Sequence, residues 1–254
     1  MRIFCFALLV FLAFCLGGWG AESATIALVG DSTVESYQPD KTILRGWGQL
    51  LPEFLAPGTK VLNVAQSGRS TSTFPKENWQ KVLDAHPLCV LIQFGHNDSH
   101  PKERPEATDA ATDYRDNLRR YIREAREANI QPILVTPVCR RTFREDGTLK
   151  DNLAPYAESM KIVAEEMKVP VVDLHALSRT LLEKLGETGS ESFTANRNLP
   201  KYQTDPTAKD GESKGGKSGD RTHFTETGAR EMARLVAEAL PIVEPSLAGI
   251  LRQP

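Results

Sequence analysis

The stretch Thr25-Ile26-Ala27-Leu28-Val29-Gly30-Asp31-Ser32-Thr33 decides the fold class of this chain. A continuous apolar run passes directly into a small polar turn, which is typical of a strand that is buried on both faces and ends at the edge of a sheet. Comparable apolar runs recur at residues 60–64, 89–94, 132–138 and 169–174. Five buried runs of this kind predict five strands of a parallel sheet.

Segments with helical spacing lie between and after these runs. In three segments, apolar side chains recur at intervals of three and four residues and share one face of a helix. The faces are formed by Tyr114, Leu118, Tyr121, Ile122 and Ala125, by Tyr156, Met160, Val163 and Met167, and by Met232, Leu235, Val236 and Leu240. Because parallel strands need crossover connections, strands that alternate with helices predict a doubly wound α/β sheet. The third helix is predicted to begin at Thr225, since Glu226 then suits the helix dipole.

The first 20 residues have the layout of a secretory signal peptide. Arg2 precedes an apolar run over residues 3–16, and small residues follow that run. The run is shorter than the roughly 20 residues of a comfortable membrane span, so we expect cleavage near residue 20. The mature protein would be secreted or periplasmic, without stable membrane insertion. A membrane anchor that stays attached is the alternative. Residues 21–254 are sufficient for one large α/β domain.

Charge and cysteine content exclude some partners and cross-links. The formal net charge is −2, which offers no basic field for nucleic acid. We expect a monomer. Cys89 and Cys139 are the cysteines that remain after signal cleavage. One opens an apolar run and the other closes one, so they would lie at opposite ends of their strands, beyond the ~7 Å Cα limit of a disulfide. We predict two free, buried thiols.

Residues 186–219 are polar and rich in glycine, serine, lysine and aspartate. A segment with so few apolar side chains cannot bury itself, and we predict a mobile surface loop. It is either an insertion without function or, because it ends just before Asp220, part of the rim of a site.

Four short polar blocks each follow a predicted strand or precede the last helix. They are Gly30-Asp31-Ser32-Thr33, Ser67-Gly68-Arg69-Ser70, Gly95-His96-Asn97-Asp98 and Asp220-Arg221-Thr222-His223. In an open parallel sheet, ligands bind in the crevice beyond the carboxyl ends of the strands. The topology therefore predicts that all four blocks meet at one edge of the sheet.

The first three blocks can supply a nucleophile and donors for an oxyanion. Ser32 is placed at a predicted strand-to-helix turn, where a helix N-terminus would point amide donors at its hydroxyl. Gly68 would let a carbonyl oxygen approach its backbone amide, and the Asn97 side chain donates without titrating. Asp31 and Asp98 are supporting residues. Taken singly, each block has a simpler interpretation as an ordinary turn.

The last block can supply a base and its orienting carboxylate. Asp220 and His223 are three residues apart, so the carboxylate can hold one ring nitrogen while the other faces the serine. Asp173 is a competing orienter. His96 and His100 are spaced like metal ligands, but they lie in a loop, and we expect no metal.

The sequence resembles the SGNH, or GDSL, hydrolases from about residue 25 to 240. Ser32, Gly68, Asn97 and His223 match the four letters of that name in order. Together with Gly46-Trp47-Gly48, the blocks resemble most the rhamnogalacturonan acetylesterase branch. The long polar loop, Arg221 and Phe224 depart from the pattern, which leaves the polysaccharide open.

This resemblance implies a three-layer α/β/α fold of the flavodoxin-like type, with no metal and no organic cofactor. It implies a secreted serine esterase that removes acetyl groups from carbohydrate, such as rhamnogalacturonan, through a triad of Ser32, His223 and Asp220. Ser32, Gly68 and Asn97 would form the oxyanion hole. A lipase or lysophospholipase of the same family and a secreted carbohydrate-binding protein that has lost catalysis are the alternatives.

Overall fold

Five parallel strands form a central sheet in the order β2-β1-β3-β4-β5. They are β1 (Thr25–Gly30), β2 (Lys60–Asn63), β3 (Cys89–Gln93), β4 (Gln131–Val135) and β5 (Val171–Val172). The structure is a computed structural model, and it describes residues 24–194 and 220–252. The predicted five-stranded parallel sheet is confirmed.

Helices cover both faces of the sheet. Within the described ranges they are α1 (Trp47–Leu50), α2 (Lys76–Ala85), α3 (Asp113–Glu127), α4 (Ala154–Met167), α5 (Leu174–Gly189) and α6 (Glu226–Val243). Short 3₁₀ turns lie at Leu51–Phe54, Glu191–Phe193 and Pro245–Ile250. The three helices predicted from apolar spacing correspond to α3, α4 and α6, whereas α1, α2 and α5 were not predicted.

Alternate residues of β1 enter two separate apolar cores, which explains why its sequence is apolar throughout. Ile26 and Leu28 pack into the core shared with α1, α5 and α6. Ala27 and Val29 pack into the core shared with α2, α3 and α4. All four side chains are fully buried. The result is the expected arrangement of three layers, with the sheet between two layers of helices.

Two predicted strands, the fourth and the fifth, end two or more residues before their apolar runs do. The last strand is limited to Val171–Val172, because Asp173 accepts a hydrogen bond from the backbone N–H of Ala176 and caps the start of α5. The fourth strand begins at Gln131 and ends at Val135, just before the segment that carries Pro137.

The first residues of the predicted polar loop over residues 186–219, residues 186–194, do not form a loop. They complete α5 after a kink at Gly186, and the turn Glu191–Phe193 follows. Phe193 is 5% exposed and packs into one of the two cores, which anchors this part of the segment. Residues 195–219 lie outside the described residues, as does the predicted signal peptide.

Cys89 and Cys139 are free and buried, as predicted. Burial raises the pKa of each thiol to about 12. No helix in residues 24–194 or 220–252 is both long and apolar enough to cross a membrane.

Candidate active site

The four polar blocks meet at the carboxyl edge of the sheet. Ser32 follows β1, Gly68 follows β2, Asn97 follows β3, and the Asp220–His223 turn precedes α6. The backbone N–H of Gln66 donates to the carbonyl oxygen of Gly30 at 3.0 Å, so the turn that carries Gly68 runs beside the turn that carries Ser32.

Ser32 lies in a turn and not at the start of a helix. The expectation of a helix directly after it is wrong, since α1 begins only at Trp47. The backbone N–H groups of Val34 and Glu35 both donate to the carbonyl oxygen of Asp31 at 3.1 Å. Thr33 donates to the Asp31 carboxylate from its backbone N–H at 2.9 Å and from its hydroxyl at 2.8 Å. These contacts close the turn without a helix.

A series of buried side-chain hydrogen bonds supports this turn. The Nε1 atom of Trp47 donates to Oε1 of Gln93 at 2.8 Å. The Nε2 atom of Gln93 in turn donates to the hydroxyl of Thr33 at 2.6 Å. Asp31 is fully buried, and burial raises the pKa of its carboxyl group, an effect that the hydrogen bonds from Thr33 reduce. The Asp31 carboxylate therefore shapes the turn that presents Ser32.

Ser32, His223 and Asp220 form a continuous hydrogen-bonded series. The Nε2 atom of His223 lies 2.8 Å from Oγ of Ser32, and its Nδ1 atom lies 2.6 Å from Oδ2 of Asp220. The other carboxylate oxygen of Asp220 accepts from the backbone N–H groups of Thr222 at 2.8 Å and His223 at 2.9 Å. This geometry allows the imidazole to take a proton from the serine hydroxyl while the carboxylate orients the ring.

The environment of Asp220 keeps its carboxylate ionised. Burial by itself would raise its pKa, but the partner His223 and the backbone N–H groups of His223 and Thr222 hold that pKa well below the usual value of 3.8. Asp173, the competing orienter, lies elsewhere. Its carboxylate accepts from the hydroxyl of Thr136 at 3.0 Å and caps α5.

A hydrogen bond joins Asn97 to the turn that carries Gly68. The Nδ2 atom of Asn97 donates to the carbonyl oxygen of Arg69 at 2.9 Å, which ties the third block to the second. An amide nitrogen has two hydrogens, so one remains for a ligand. Gly68 has a φ of +73°, which favours glycine, and the space that a Cβ would occupy there is open. Ser32 and Asn97 are buried, with 7% and 8% of their surface exposed.

Asp98 fixes the loop behind Asn97. Its carboxylate accepts from the backbone N–H of Thr71 at 3.1 Å, and from the hydroxyls of Thr71 at 2.5 Å and Thr108 at 2.9 Å. Burial raises the pKa of Asp98 to about 6, although these hydrogen bonds oppose the effect. Asp98 therefore connects the third block to the end of the second.

Sequence reasoning missed a contact network between the first two blocks. Oε2 of Glu35 accepts from the backbone N–H of Ser67 at 2.7 Å and also from its hydroxyl. The hydroxyl of Tyr37 donates to the carbonyl oxygen of Ser32 at 2.8 Å and lies 3.2 Å from Oγ of Ser67. The network spans about 30 positions of sequence, and no local pattern indicates it.

His96 and His100, which are spaced like metal ligands, have different surroundings. His96 is 3% exposed, and burial together with the nearby Arg140 lowers its pKa well below 6.5. His100 pairs with Glu106 instead, at 2.7 Å between Nδ1 and Oε1.

A separate group of ligand-type atoms comprises Cys139, Asp151 and His175. There, Nδ1 of His175 lies 3.0 Å from the carbonyl oxygen of Pro137 and Nε2 lies 3.1 Å from Oδ2 of Asp151, which also accepts from Arg179. Asp151 and His175 therefore already have hydrogen-bond partners, and Sγ of Cys139 donates to the carbonyl oxygen of Arg140 at 3.7 Å.

Comparisons with known proteins agree on the relationship of this chain. A family model described as GDSL-like lipase/acylhydrolase matches residues 26–236. The rhamnogalacturonan acetylesterase RhgT of Bacillus subtilis (strain 168) is 35% identical over 222 residues, which cover 85% of this chain and 88% of that protein. The probable rhamnogalacturonan acetylesterase YesY of the same organism is also 35% identical, over 85% of this chain and 91% of its own length.

The fold agrees with a solved structure from the same organism. The crystal structure of the Bacillus subtilis protein YxiM superposes with a TM-score of 0.70 and 26% identity, over 90% of this chain and 58% of that one.

Proposed function

This chain belongs to the GDSL-like lipase/acylhydrolase family, and from that premise we propose that it is a serine esterase that removes acetyl groups from carbohydrate. The observation that carries the proposal is the 2.8 Å separation between Nε2 of His223 and Oγ of Ser32, with Asp220 on the opposite ring nitrogen. This arrangement contains the nucleophile, base and orienting carboxylate of acyl transfer.

In the first half-reaction, Oγ of Ser32 attacks the ester carbonyl carbon while Nε2 of His223 takes the hydroxyl proton. The negative charge of Asp220 stabilises the imidazolium that forms. The tetrahedral intermediate then collapses, the bond to the sugar oxygen breaks, and His223 gives its proton to that oxygen. The sugar leaves with a free hydroxyl, and the acetyl group remains on Ser32.

In the second half-reaction, a water molecule attacks the acetyl-serine. His223 takes a proton from this water and returns one to Oγ of Ser32 as the acetate leaves. The backbone N–H groups of Ser32 and Gly68 and the side-chain amide of Asn97 are the proposed donors to the oxyanion in both halves. Removal of one such donor typically costs about 10²–10³ in turnover.

The proposed substrate is an acetylated plant cell-wall polysaccharide such as rhamnogalacturonan. The names of two relatives that are 35% identical over most of their length support it. Charge at the site is also compatible with an acidic glycan. Arg69 and Arg140 lie in the loops after β2 and β4, are partly exposed, and form no ion pair with another described residue.

Secretion or a periplasmic location is part of this proposal and depends on the sequence of residues 1–20 alone. A monomer also fits the proposal, because every group that the mechanism uses comes from one chain.

The test of the proposed function is the hydrolysis of p-nitrophenyl acetate by wild type and by Ser32→Ala. We expect turnover in the wild type and its loss in the variant, with an unchanged circular dichroism spectrum. Ser246→Ala is the matched control, because that serine is exposed and pairs only with Glu244 at the far end of the chain. Full turnover in Ser32→Ala would reject the assignment.

Acyl-chain preference separates the two enzyme interpretations. A carbohydrate acetylesterase should hydrolyse p-nitrophenyl acetate faster than the octanoate, and it should release acetate from acetylated pectin fragments. A preference for octanoate would favour the lipase interpretation, and binding of these fragments without acetate release would favour a non-catalytic binding protein.

A further inference from the structure

Arg141 is a buried cation directly beneath the turn that carries Asp220 and His223. It lies in the segment after β4, and none of its surface is exposed. Arginine is rarely buried completely unless its donors are satisfied, because desolvation of a guanidinium is costly. The contacts of Arg141 therefore indicate what its burial accomplishes.

Two of these contacts are with backbone carbonyl groups. One belongs to Asp220, which orients the proposed base, and the other belongs to that base, His223. The Nη2 atom of Arg141 donates to the carbonyl oxygen of Asp220 at 3.0 Å and also to the carbonyl oxygen of His223. One guanidinium nitrogen thus joins the first and last residues of the Asp220–His223 turn.

Two further contacts fix the guanidinium itself, and the backbone of Arg141 makes a third contact with the turn. Its Nε atom donates to the hydroxyl of Thr194 at 3.3 Å, and the plane lies over the ring of Phe224 with 4.7 Å from Cζ to the ring centre. The backbone N–H of Arg141 donates to the carbonyl oxygen of Arg221 at 3.0 Å. The side chain and backbone of Arg141 therefore hold the same turn from two directions.

The guanidinium remains charged while it does so. Burial lowers the pKa of Arg141 to about 10, and the nearby Asp220 opposes this effect. At neutral pH the group is protonated, and its hydrogen bonds to carbonyl oxygens are charge-assisted and stronger than neutral ones.

We infer that Arg141 is a positioning residue, which holds the carbonyl oxygens of Asp220 and His223 so that the imidazole stays between the carboxylate and the Ser32 hydroxyl. This inference rests on the proposed function. Displacement of a reacting group by about 1 Å can reduce turnover by about 10²-fold. The direction of the His223 side chain is set by the peptide groups on either side of it, and Arg141 binds one of them.

The test compares Arg141→Met, Arg141→Lys and the control Arg144→Met. Arg144 is an exposed arginine of the same segment, and its side chain donates hydrogen bonds to Thr148 and Leu149. The measurements are kcat and KM for p-nitrophenyl acetate, the melting temperature, and the low-field proton resonance of the hydrogen bond between Nδ1 of His223 and Asp220. The resonance needs no substrate.

We expect Arg141→Met to lower kcat by about 10–100-fold with little change in KM, and to weaken or broaden the low-field resonance. Lysine keeps the charge but lacks the planar fork, so Arg141→Lys should recover part of this loss. Arg144→Met should behave as wild type. A folded Arg141→Met with wild-type kcat and an unchanged resonance would overturn the inference.

Should Arg141→Met not fold, Arg141→Lys decides the question. A kcat that is about 3–10-fold lower, with a weakened resonance, supports positioning, and wild-type values of both contradict it. Absence of esterase activity in the wild type would reject the proposed function, whereas the resonance would still report whether Arg141 holds the His223–Asp220 pair.

Discussion

The Nε2 atom of His223 lies 2.8 Å from Oγ of Ser32, although 191 positions of sequence separate the two residues. Ser32 lies at the carboxyl edge of the sheet because it follows β1, and the turn before α6 places His223 at the same point.

Asp220→Asn should lower kcat by about 10³–10⁴-fold, because an amide can hold the ring of His223 in the wrong tautomer and cannot stabilise the imidazolium. The assay is the turnover of p-nitrophenyl acetate at neutral pH. Asp173→Asn is the control, since that carboxylate caps α5 and contacts Thr136. It should lower the melting temperature and leave kcat unchanged. Equal kcat losses in the two variants would contradict the role of Asp220.

Asp220 should also affect the acid stability of the protein. Its folded-state pKa lies well below its usual value of 3.8, so the native state binds fewer protons than the unfolded state in acid. The stabilisation is fully present above pH about 4 and is lost as the pH falls through the folded-state value. Urea unfolding should therefore show a difference between wild type and Asp220→Asn that shrinks below pH about 4. If this difference in the free energy of unfolding grew in acid, the pKa of Asp220 would be raised by folding and the prediction would be wrong.

Glu35→Gln should lower kcat by roughly 10-fold, less than the loss of an oxyanion donor itself. The Glu35 carboxylate accepts two hydrogen bonds from Ser67, which precedes Gly68, so its loss loosens the loop that presents the Gly68 amide. Steady-state kinetics with p-nitrophenyl acetate measure the effect. Glu53→Gln, at an exposed ion pair with Arg230, should have no effect on kcat. A wild-type kcat in Glu35→Gln would show that the loop keeps its position without this contact.

Gly68→Ala should lower both stability and turnover. The left-handed φ of +73° costs a side chain about 1–2 kcal/mol, even though the space around the position is open. Gly58→Ala is a matched control, because Gly58 has a φ of +92°, equally open surroundings and a position in the turn before β2. Thermal unfolding should show similar losses for the two variants, whereas only Gly68→Ala should reduce kcat. Equal kcat values would remove Gly68 from the oxyanion hole.

Arg140→Gln should reduce kcat/KM on acetylated polygalacturonate and leave the hydrolysis of neutral p-nitrophenyl acetate nearly unchanged. The Nη2 atom of Arg140 donates to the carbonyl oxygen of His96 at 3.1 Å, which places its charge beside the third block. Exposed charge interactions weaken with salt, so the wild-type preference for the acidic substrate should fall as ionic strength rises. Arg144→Gln serves as the control. A loss of equal size on both substrates would indicate a structural role for Arg140.

The family and the fold were predictable because short motifs and apolar runs, which are local patterns, indicate both. Unbroken apolar runs such as residues 25–29 require burial on both faces, which a parallel sheet between helices provides. The helix directly after Ser32 was predicted wrongly, since the carboxylate and carbonyl groups of Asp31 close the turn by themselves. Residues 186–194 were also assigned to the polar loop, but they form the end of α5 and a turn, because Phe193 packs into the core, a contact that composition does not reveal.

By itself the sequence determined the sheet, the family and the four blocks from which a site could be built, because apolar periodicity and short motifs act over a few neighbouring residues. Only the tertiary structure decided that Glu35 binds Ser67 and that Arg141 lies beneath the turn of Asp220 and His223. Those contacts join segments from different strands and loops. Each contact depends on how these segments pack together in the crevice, and no single stretch of the chain contains that information.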